Sequence, residues 1–224
     1  MKKKIKTKKN YKLIIFDFDG TLADSIPGIY KTANIMAKKY GMSSIPMNKI
    51  KNAVGMGIEI FLNEIFKNII DKHKFTAIKK DYETTYEKNS ADGTRLFPGV
   101  RQTLKILKQK KIKMVILSNK KSYFIKKLCK YFNIDKFFIE IIGRGDLKKD
   151  KPDPYAINYF SKKYKINRKN ILLVGDSQYD AECAANSKID FFYLDYGYGD
   201  KKKTKKFKPA YIRKKFSDIL NIID

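Results

Sequence analysis

Six side chains able to hold charge or hydrogen bonds stand just beyond apolar runs in this 224-residue chain: Asp17, Asp19, Ser118, Asn119, Lys151 and Asp176. Asp17 follows the run 12–16, Ser118 and Asn119 follow 114–117, and Asp176 lies just past 171–174. Lys151 falls in the loop after a further run, 137–142. Taken singly, an Asp-x-Asp turn, a Ser-Asn pair or a Lys-Pro pair is ordinary turn chemistry. Their shared placement is not ordinary. Three carboxylates offer oxygen ligands of the kind a hard divalent cation takes. A hydroxyl, an amide and an ammonium are suited to holding an anion.

Such residues act together only if the apolar runs are neighbouring strands with the same orientation. The run 12–16 reads as a buried strand, and a helix capped by Asp24 or Ser25 follows. From there to about residue 92 the pattern is helical. Ile58, Phe61, Leu62, Ile65, Phe66 and Ile69 recur at the spacing that builds one apolar helix face. Past Pro98-Gly99 the texture alternates. Helices are expected over 100–110, 123–132, from 154 and over 178–187, and strands over 114–117, 137–142, 171–174 and 191–194. Continuous apolar strands separated by helices imply right-handed crossovers and a parallel sheet covered on both faces. Ligands of open sheets of this kind bind beyond the carboxyl ends of the strands. The expected fold is therefore α/β: a doubly wound parallel sheet with a Rossmann-like core and an inserted all-helical cap. The division is a basic disordered tail over 1–11, a core over 12–23 and 93–224, and a cap over 24–92.

Composition narrows the class without deciding it. The apolar stretches are too short to span a bilayer, and no apolar segment backs the basic N-terminus as in a signal peptide. Two cysteines, Cys129 and Cys183, suggest buried thiols in a reducing compartment, and the cytoplasm is the expected location. The net charge of +27 invites a nucleic-acid reading, yet only five of the 50 basic residues are arginine. Arginine makes the bidentate and stacking contacts of specific recognition. The lysine excess reads instead as codon bias on solvated faces, so no specific nucleic acid and no membrane is expected as a partner.

The motifs carry a more specific resemblance. The chain resembles the haloacid dehalogenase-like superfamily, in the branch with a helical cap after the first strand. Phe16-Asp17-Phe18-Asp19-Gly20-Thr21-Leu22 is similar to the first signature of that superfamily, Leu117-Ser118-Asn119-Lys120 to the second, Lys151-Pro152-Asp153-Pro154 to the third and Gly175-Asp176-Ser177-Gln178-Tyr179-Asp180 to the fourth. Phe97-Pro98-Gly99-Val100 and Tyr196-Gly197-Tyr198-Gly199 resemble its phosphoglycolate phosphatase-like group.

The resemblance implies a Mg²⁺-dependent phosphatase acting on a small phosphate monoester through an aspartyl phosphate. Asp17 would be the nucleophile and Asp19 the general acid and base, with Ser118 and Lys151 as the other catalytic residues. Asp17, Asp176 and the backbone carbonyl of Asp19 would hold Mg²⁺. Gly20, Thr21, Ser118, Asn119 and Lys151 would bind the substrate, with Ser177 and Asp180 in support behind them. The acid at Asp19 separates the chain from haloalkanoate-cleaving relatives, which lack one there. The segment from Val54 to Glu59 does not resemble the cap segment of sugar-phosphate mutases. A pyrophosphatase, a mutase and a lysine-rich nucleic-acid-binding protein are the alternatives, with a monomer or homodimer expected. Two departures stand out: Lys188 ends a helix where glycine is expected, and Lys110-Lys111 replace a glycine before the second core strand.

Overall fold

The computed structural model describes residues 8–67, 69 and 73–224. The first strand, β1 (Leu13–Phe16), is wholly buried. It leads through a short strand, β2 (Ala23–Asp24), into four helices: α1 (Ile26–Lys39), α2 (Met47–Ala53), α3 (Ile58–Phe66) and α4 (Phe75–Asn89). The strand β3 (Arg95–Leu96) then returns antiparallel to β2, pairing Ala23 with Leu96 and Asp24 with Arg95, so both connections to the helices are tied side by side. The rest alternates: α5 (Val100–Gln109), β4 (Lys113–Leu117), α6 (Ser122–Tyr131), β5 (Glu140–Ile142), α7 (Tyr155–Tyr164), β6 (Ile171–Gly175), α8 (Gln178–Ser187), β7 (Asp190–Leu194), α9 (Lys201–Lys206) and β8 (Tyr211–Arg213).

Six strands form one sheet in the order β5-β4-β1-β6-β7-β8, every pair parallel. Successive side chains of a strand point to opposite faces, so each strand supplies two cores. Ile14 and Phe16 pack with Leu104 of α5 and Leu128 of α6. Leu13 and Ile15 pack with Ile157 of α7 and Ala184 of α8. This is the doubly wound parallel sheet expected. The helices α1 to α4 enclose an apolar cluster of their own around Met36, Leu62, Phe66 and Tyr82, joined by Phe124 of α6.

Several sequence expectations need correction. Residues 1–7 of the expected disordered tail lie outside the described residues, but Lys9 and Tyr11 are held in place. Lys9 N–H donates to the Ile222 carbonyl at 2.9 Å, and Tyr11 is buried against Asp190. Ser25 precedes α1 without a side-chain cap bond, its backbone being helical (φ −99°, ψ −4°) rather than extended as a capping residue requires. The run 137–142 yields a strand only from Glu140, and β8 adds an edge strand beyond the last one expected. Lys188 and Lys111 do adopt the left-handed conformation that glycine would have served, with φ of 54° and 58°.

Candidate active site

Sheet order alone explains why the chemistry collects where it does. β1 is central, with the chain running to β4 on one side and to β6 on the other, so the strand order reverses beside β1. Phe16 is in register with Ile116 of β4 and with Val174 of β6. One or two residues further on, Asp17, Ser118 and Asp176 emerge together at the carboxyl edge. Each is at most 7% exposed.

Carboxylate oxygens of Asp17, Asp176 and Asp180 lie within 4.8 Å of one another. Lys151 offsets part of this charge. Its Nζ is 2.6 Å from Asp180 Oδ1 and 2.9 Å from Asp17 Oδ1. The Asp180 contact is a hydrogen bond, whereas the Asp17 contact is an ion pair without hydrogen-bond geometry. Asp180 Oδ2 accepts from the Ser177 hydroxyl at 2.6 Å and from its amide at 3.1 Å. Those contacts make Ser177 and Asp180 a reciprocal cap for α8.

Burial pushes the Asp17 carboxyl up to about 6, with the Asp180 charge adding to the rise and Lys151 and Ser118 opposing it. Burial pushes Asp176 further, to about 8, reinforced by Asp17 and Asp180, while the Tyr198 amide and Thr21 hydroxyl pull it back. Burial disfavours the charged form of Lys151, but Asp17 and Asp180 raise its pKa above the ordinary lysine value. Asp176 has no ion pair among the described residues. A buried all-oxygen cluster with one ammonium for three carboxylates fits a hard divalent cation.

Gly20, Gly197 and Gly199 pack around Asp176. A Cβ on Gly20, whose φ is +80°, would meet Asp176 Oδ2 at 2.4 Å, and one on Gly197 would meet its Cβ at 2.2 Å. Thr21, expected to bind substrate, is fully buried and donates its hydroxyl to Asp176 Oδ1 at 2.9 Å. Thr21 and Gly20 therefore shape the carboxylate cluster from beneath. The Asp19 carboxylate stands outside the cluster. It accepts from Ser25 Oγ at 2.5 Å and from Lys120 Nζ at 3.1 Å to each oxygen. Lys120 closes the second signature but was given no role from the sequence, which does not show that its ammonium turns toward Asp19. Its side chain is 10% exposed, its Nζ lies 4.6 Å from the centroid of the Tyr86 ring, and its pKa is raised by Asp19 and Tyr86 against the opposing effect of burial.

The helical cap covers this edge and leaves a cavity of about 90 Å³. Asp17, Asp19, Ser118, Lys120 and Lys151 line its floor, and Phe61, Tyr82, Tyr86 and Phe124 line its apolar side. Asn119 bridges cap and core: its Nδ2 donates to the Gly55 carbonyl at 3.1 Å and to the Lys151 carbonyl at 3.2 Å. Ion pairs close the rim, Arg144 with Glu59 at 2.9 Å, Lys121 with Glu83 at 2.6 Å and Lys127 with Glu87 at 3.2 Å. At Gly57, with φ of +86°, a Cβ would strike the Arg144 guanidinium at 2.2 Å. The close approach this glycine permits is thus to the core.

A parallel sheet with an inserted helical cap, and acids gathered at its switch point, define a class, and the chain belongs to it. It is a member of the haloacid dehalogenase-like hydrolase family, whose sequence profile matches residues 14–194. It is 30% identical over 193 residues to a phosphoglycolate phosphatase of Nitrosospira multiformis, covering 84% of this chain and 85% of that one. It is 26% identical to the phosphoglycolate phosphatase of Vibrio parahaemolyticus over 97% of this chain and 98% of that one. A crystal structure of a predicted phosphoglycolate phosphatase from Haemophilus somnus superposes with a TM-score of 0.91 at 29% identity, covering 96% of this chain and 98% of that one.

Proposed function

We propose that the protein is a Mg²⁺-dependent phosphatase that hydrolyses a small, phosphoglycolate-like phosphate monoester through an aspartyl phosphate on Asp17. One observation carries this reading: Asp17 faces the cavity floor, flanked by the Lys151 ammonium, with Asp19 on the cap-facing side. A carboxylate can attack an anionic ester only where cations offset the repulsion. Mg²⁺ held by Asp17, Asp176 and the Asp19 carbonyl would supply that offset when bound. Asp17 then attacks phosphorus, the ester P–O bond breaks, and Asp19 gives the departing oxygen its proton. In the second half Asp19 takes a proton from water, which attacks the phosphoaspartate, releases phosphate and regenerates Asp17.

Lys151 and Ser118 would hold the phosphoryl oxygens. Asp180 fixes Lys151 in place, and Asn119, with its amide nitrogen engaged, acts as a positioning residue between cap and core. Cap closure over a small cavity would exclude water from the first transfer. The segment from Val54 to Glu59, unlike the cap segment of sugar-phosphate mutases, weighs against a mutase. The intact acids weigh against a nucleic-acid-binding protein with a vestigial core. Cytoplasmic location is supported by two free, buried thiols; among the described residues no helix is long and apolar enough to cross a membrane.

The test is a panel of phosphate esters assayed with the wild type and Asp17→Asn. The variant should lose more than about a hundredfold in kcat, roughly 3 kcal/mol, and form no hydroxylamine-sensitive phosphoprotein. Retention of turnover would remove Asp17 from the nucleophile's role.

A further inference from the structure

The segments Tyr196-Gly197-Tyr198-Gly199, after β7, and Phe97-Pro98-Gly99-Val100, after β3, meet at the hinge that joins cap to core. The ring centroids of Tyr196 and Phe97 are 4.4 Å apart, and the Tyr196 hydroxyl donates to the Thr21 carbonyl at 2.7 Å, just before β2. Tyr198 grips the outgoing connection. Its hydroxyl donates to Asp24 Oδ1 at 2.7 Å and accepts from the backbone amides of Ser25 at 2.9 Å and Ile26 at 3.4 Å. Asp24 also pairs with Arg95 of β3 at 3.5 Å, and Lys51 Nζ of α2 lies 5.8 Å from the centroid of the Tyr198 ring. The same loop holds Asp176 at its other end. The amides of Tyr198 and Gly199 donate to Asp176 Oδ2 at 2.7 and 3.3 Å, while Thr21 holds Oδ1. The loop has no slack: a Cβ on Gly199 would meet the Asp176 carbonyl oxygen at 2.3 Å.

We propose that this loop couples metal binding at Asp176 to closure of the cap, with Tyr198 the positioning residue that carries the coupling. The inference rests on the metal of the phosphatase reading and adds a regulation of that same site. Tyr198 is bonded through its hydroxyl to the hinge and through its amide to the carboxylate, so neither partner shifts without disturbing the other. The hinge bonds described here are those of the shut cap. An Asp176 oriented for Mg²⁺ favours them, and a seated hinge in turn orients Asp176 for Mg²⁺. Such coupling is reciprocal by thermodynamic necessity. Opening the cap would loosen the grip on Asp176, so that metal and cover come into place together.

The test reads the coupling on full-length protein with Mg²⁺ alone. Mass spectrometry follows hydrogen exchange of peptides covering residues 23–29 in chelator and in saturating Mg²⁺, and calorimetry gives the Mg²⁺ Kd. In the wild type Mg²⁺ should slow this exchange by about fivefold or more, the low end of ordinary coupling between sites. Tyr198→Phe keeps the ring and the amide but loses the hydroxyl bonds. It should make the exchange indifferent to Mg²⁺ and raise the Mg²⁺ Kd about threefold to tenfold, the scale of one or two hydrogen bonds. Asp24→Ala, which removes the acceptor from the hinge side, should reproduce both changes. Wild-type exchange unmoved by Mg²⁺ overturns the coupling. So does a Tyr198→Phe protein that exchanges faster by one factor with and without Mg²⁺ at an unchanged Kd, since Tyr198 would then only stiffen the hinge. Ester turnover is scored apart. Hydrolysis with a hinge indifferent to Mg²⁺ removes the coupling and leaves the phosphatase reading, and a Mg²⁺-linked hinge without hydrolysis of any ester does the reverse.

Discussion

Removing divalent metal should make this fold lose stability as pH rises from 5 to 8, a reversal of the usual behaviour of carboxylates. The Asp17 carboxyl sits at about 6 and that of Asp176 at about 8 in the folded chain, against about 3.9 in an unfolded one. Between pH 5 and 8 the folded state therefore holds protons that the unfolded state has released. Stability falls with rising pH wherever the folded state binds more protons. At about 1.4 kcal/mol per pH unit for each proton, Asp176 contributes over the whole window and Asp17 over its first unit. The loss is on the order of 5 kcal/mol, a large share of a total of about 5–15 kcal/mol. For a chain of this size that is a melting temperature lower by about 10 °C or more. Carboxylates whose pKa is lowered, among them Glu59, Asp81 and Glu140, titrate below this window and leave it clear. Thermal melts followed by circular dichroism in chelator, at half-unit steps of pH, measure the slope. Saturating Mg²⁺ should flatten it, because the cation stabilises the ionised cluster, and Asp176→Asn should remove most of it without metal. A metal-free melting temperature that is constant or rises from pH 5 to 8 would refute the argument.

Lys188→Gly should raise stability by about 0.5–1 kcal/mol, because a left-handed residue strains any side chain that has a Cβ; the melting temperature should climb by about 1–3 °C, and a drop would show that the Lys188 side chain contributes more than its backbone costs. Binding to duplex DNA of random sequence should be weak, indifferent to sequence and gone by about 200 mM salt. Neutralising Lys201, Lys202, Lys203, Lys205 and Lys206 should weaken it further while leaving kcat on a small ester in place; gel-shift titrations across a salt series check this, and sequence-selective binding at about 200 mM would make nucleic acid a true partner.

The strands β1, β4, β6 and β7 were legible because a parallel strand buried on both faces must be continuously apolar, and so were the acids at their ends. β8 was not: Tyr211-Ile212-Arg213 lies at a sheet edge, where only one residue in three, Tyr211, is buried. β5 begins later than its apolar run implies because Asp135–Phe137 form a 3₁₀ turn; its first residue, Glu140, is held by Tyr159, Tyr164 and Lys163. The anchoring of residues 8–11 depends on Tyr11, on the Lys9–Asp190 ion pair and on backbone bonds to distant residues, none of which shows above a basic background. Within the site, the residue types placed Asp17, Ser118, Lys151 and Asp176 correctly at one edge. They could not show that Thr21 turns toward Asp176, or that Lys120 rather than Lys121 reaches Asp19. Those outcomes depend on side-chain direction at the crossing of cap and core, which no local pattern encodes.

The ion pairs at the rim also give the lysine excess a geography. Residues 24–92 carry 11 basic and 8 acidic side chains, so only +3 of the chain's +27 lies in the cap. The remainder of the protein is a strongly cationic body facing a nearly neutral one that presents Glu59, Glu83 and Glu87 across the seam. Two bodies charged in proportion to their size would repel each other strongly, and the nearly neutral cap keeps that repulsion small enough for the pairs at the seam to act. The pull is screened over about 10 Å at 0.1 M salt, a span comparable to the seam itself. Ionic strength thus acts on this molecule as a mechanical variable, setting how firmly the cap is seated. A composition that looks like drift along the sequence is, once folded, distributed so that it does little to push the cap from the core.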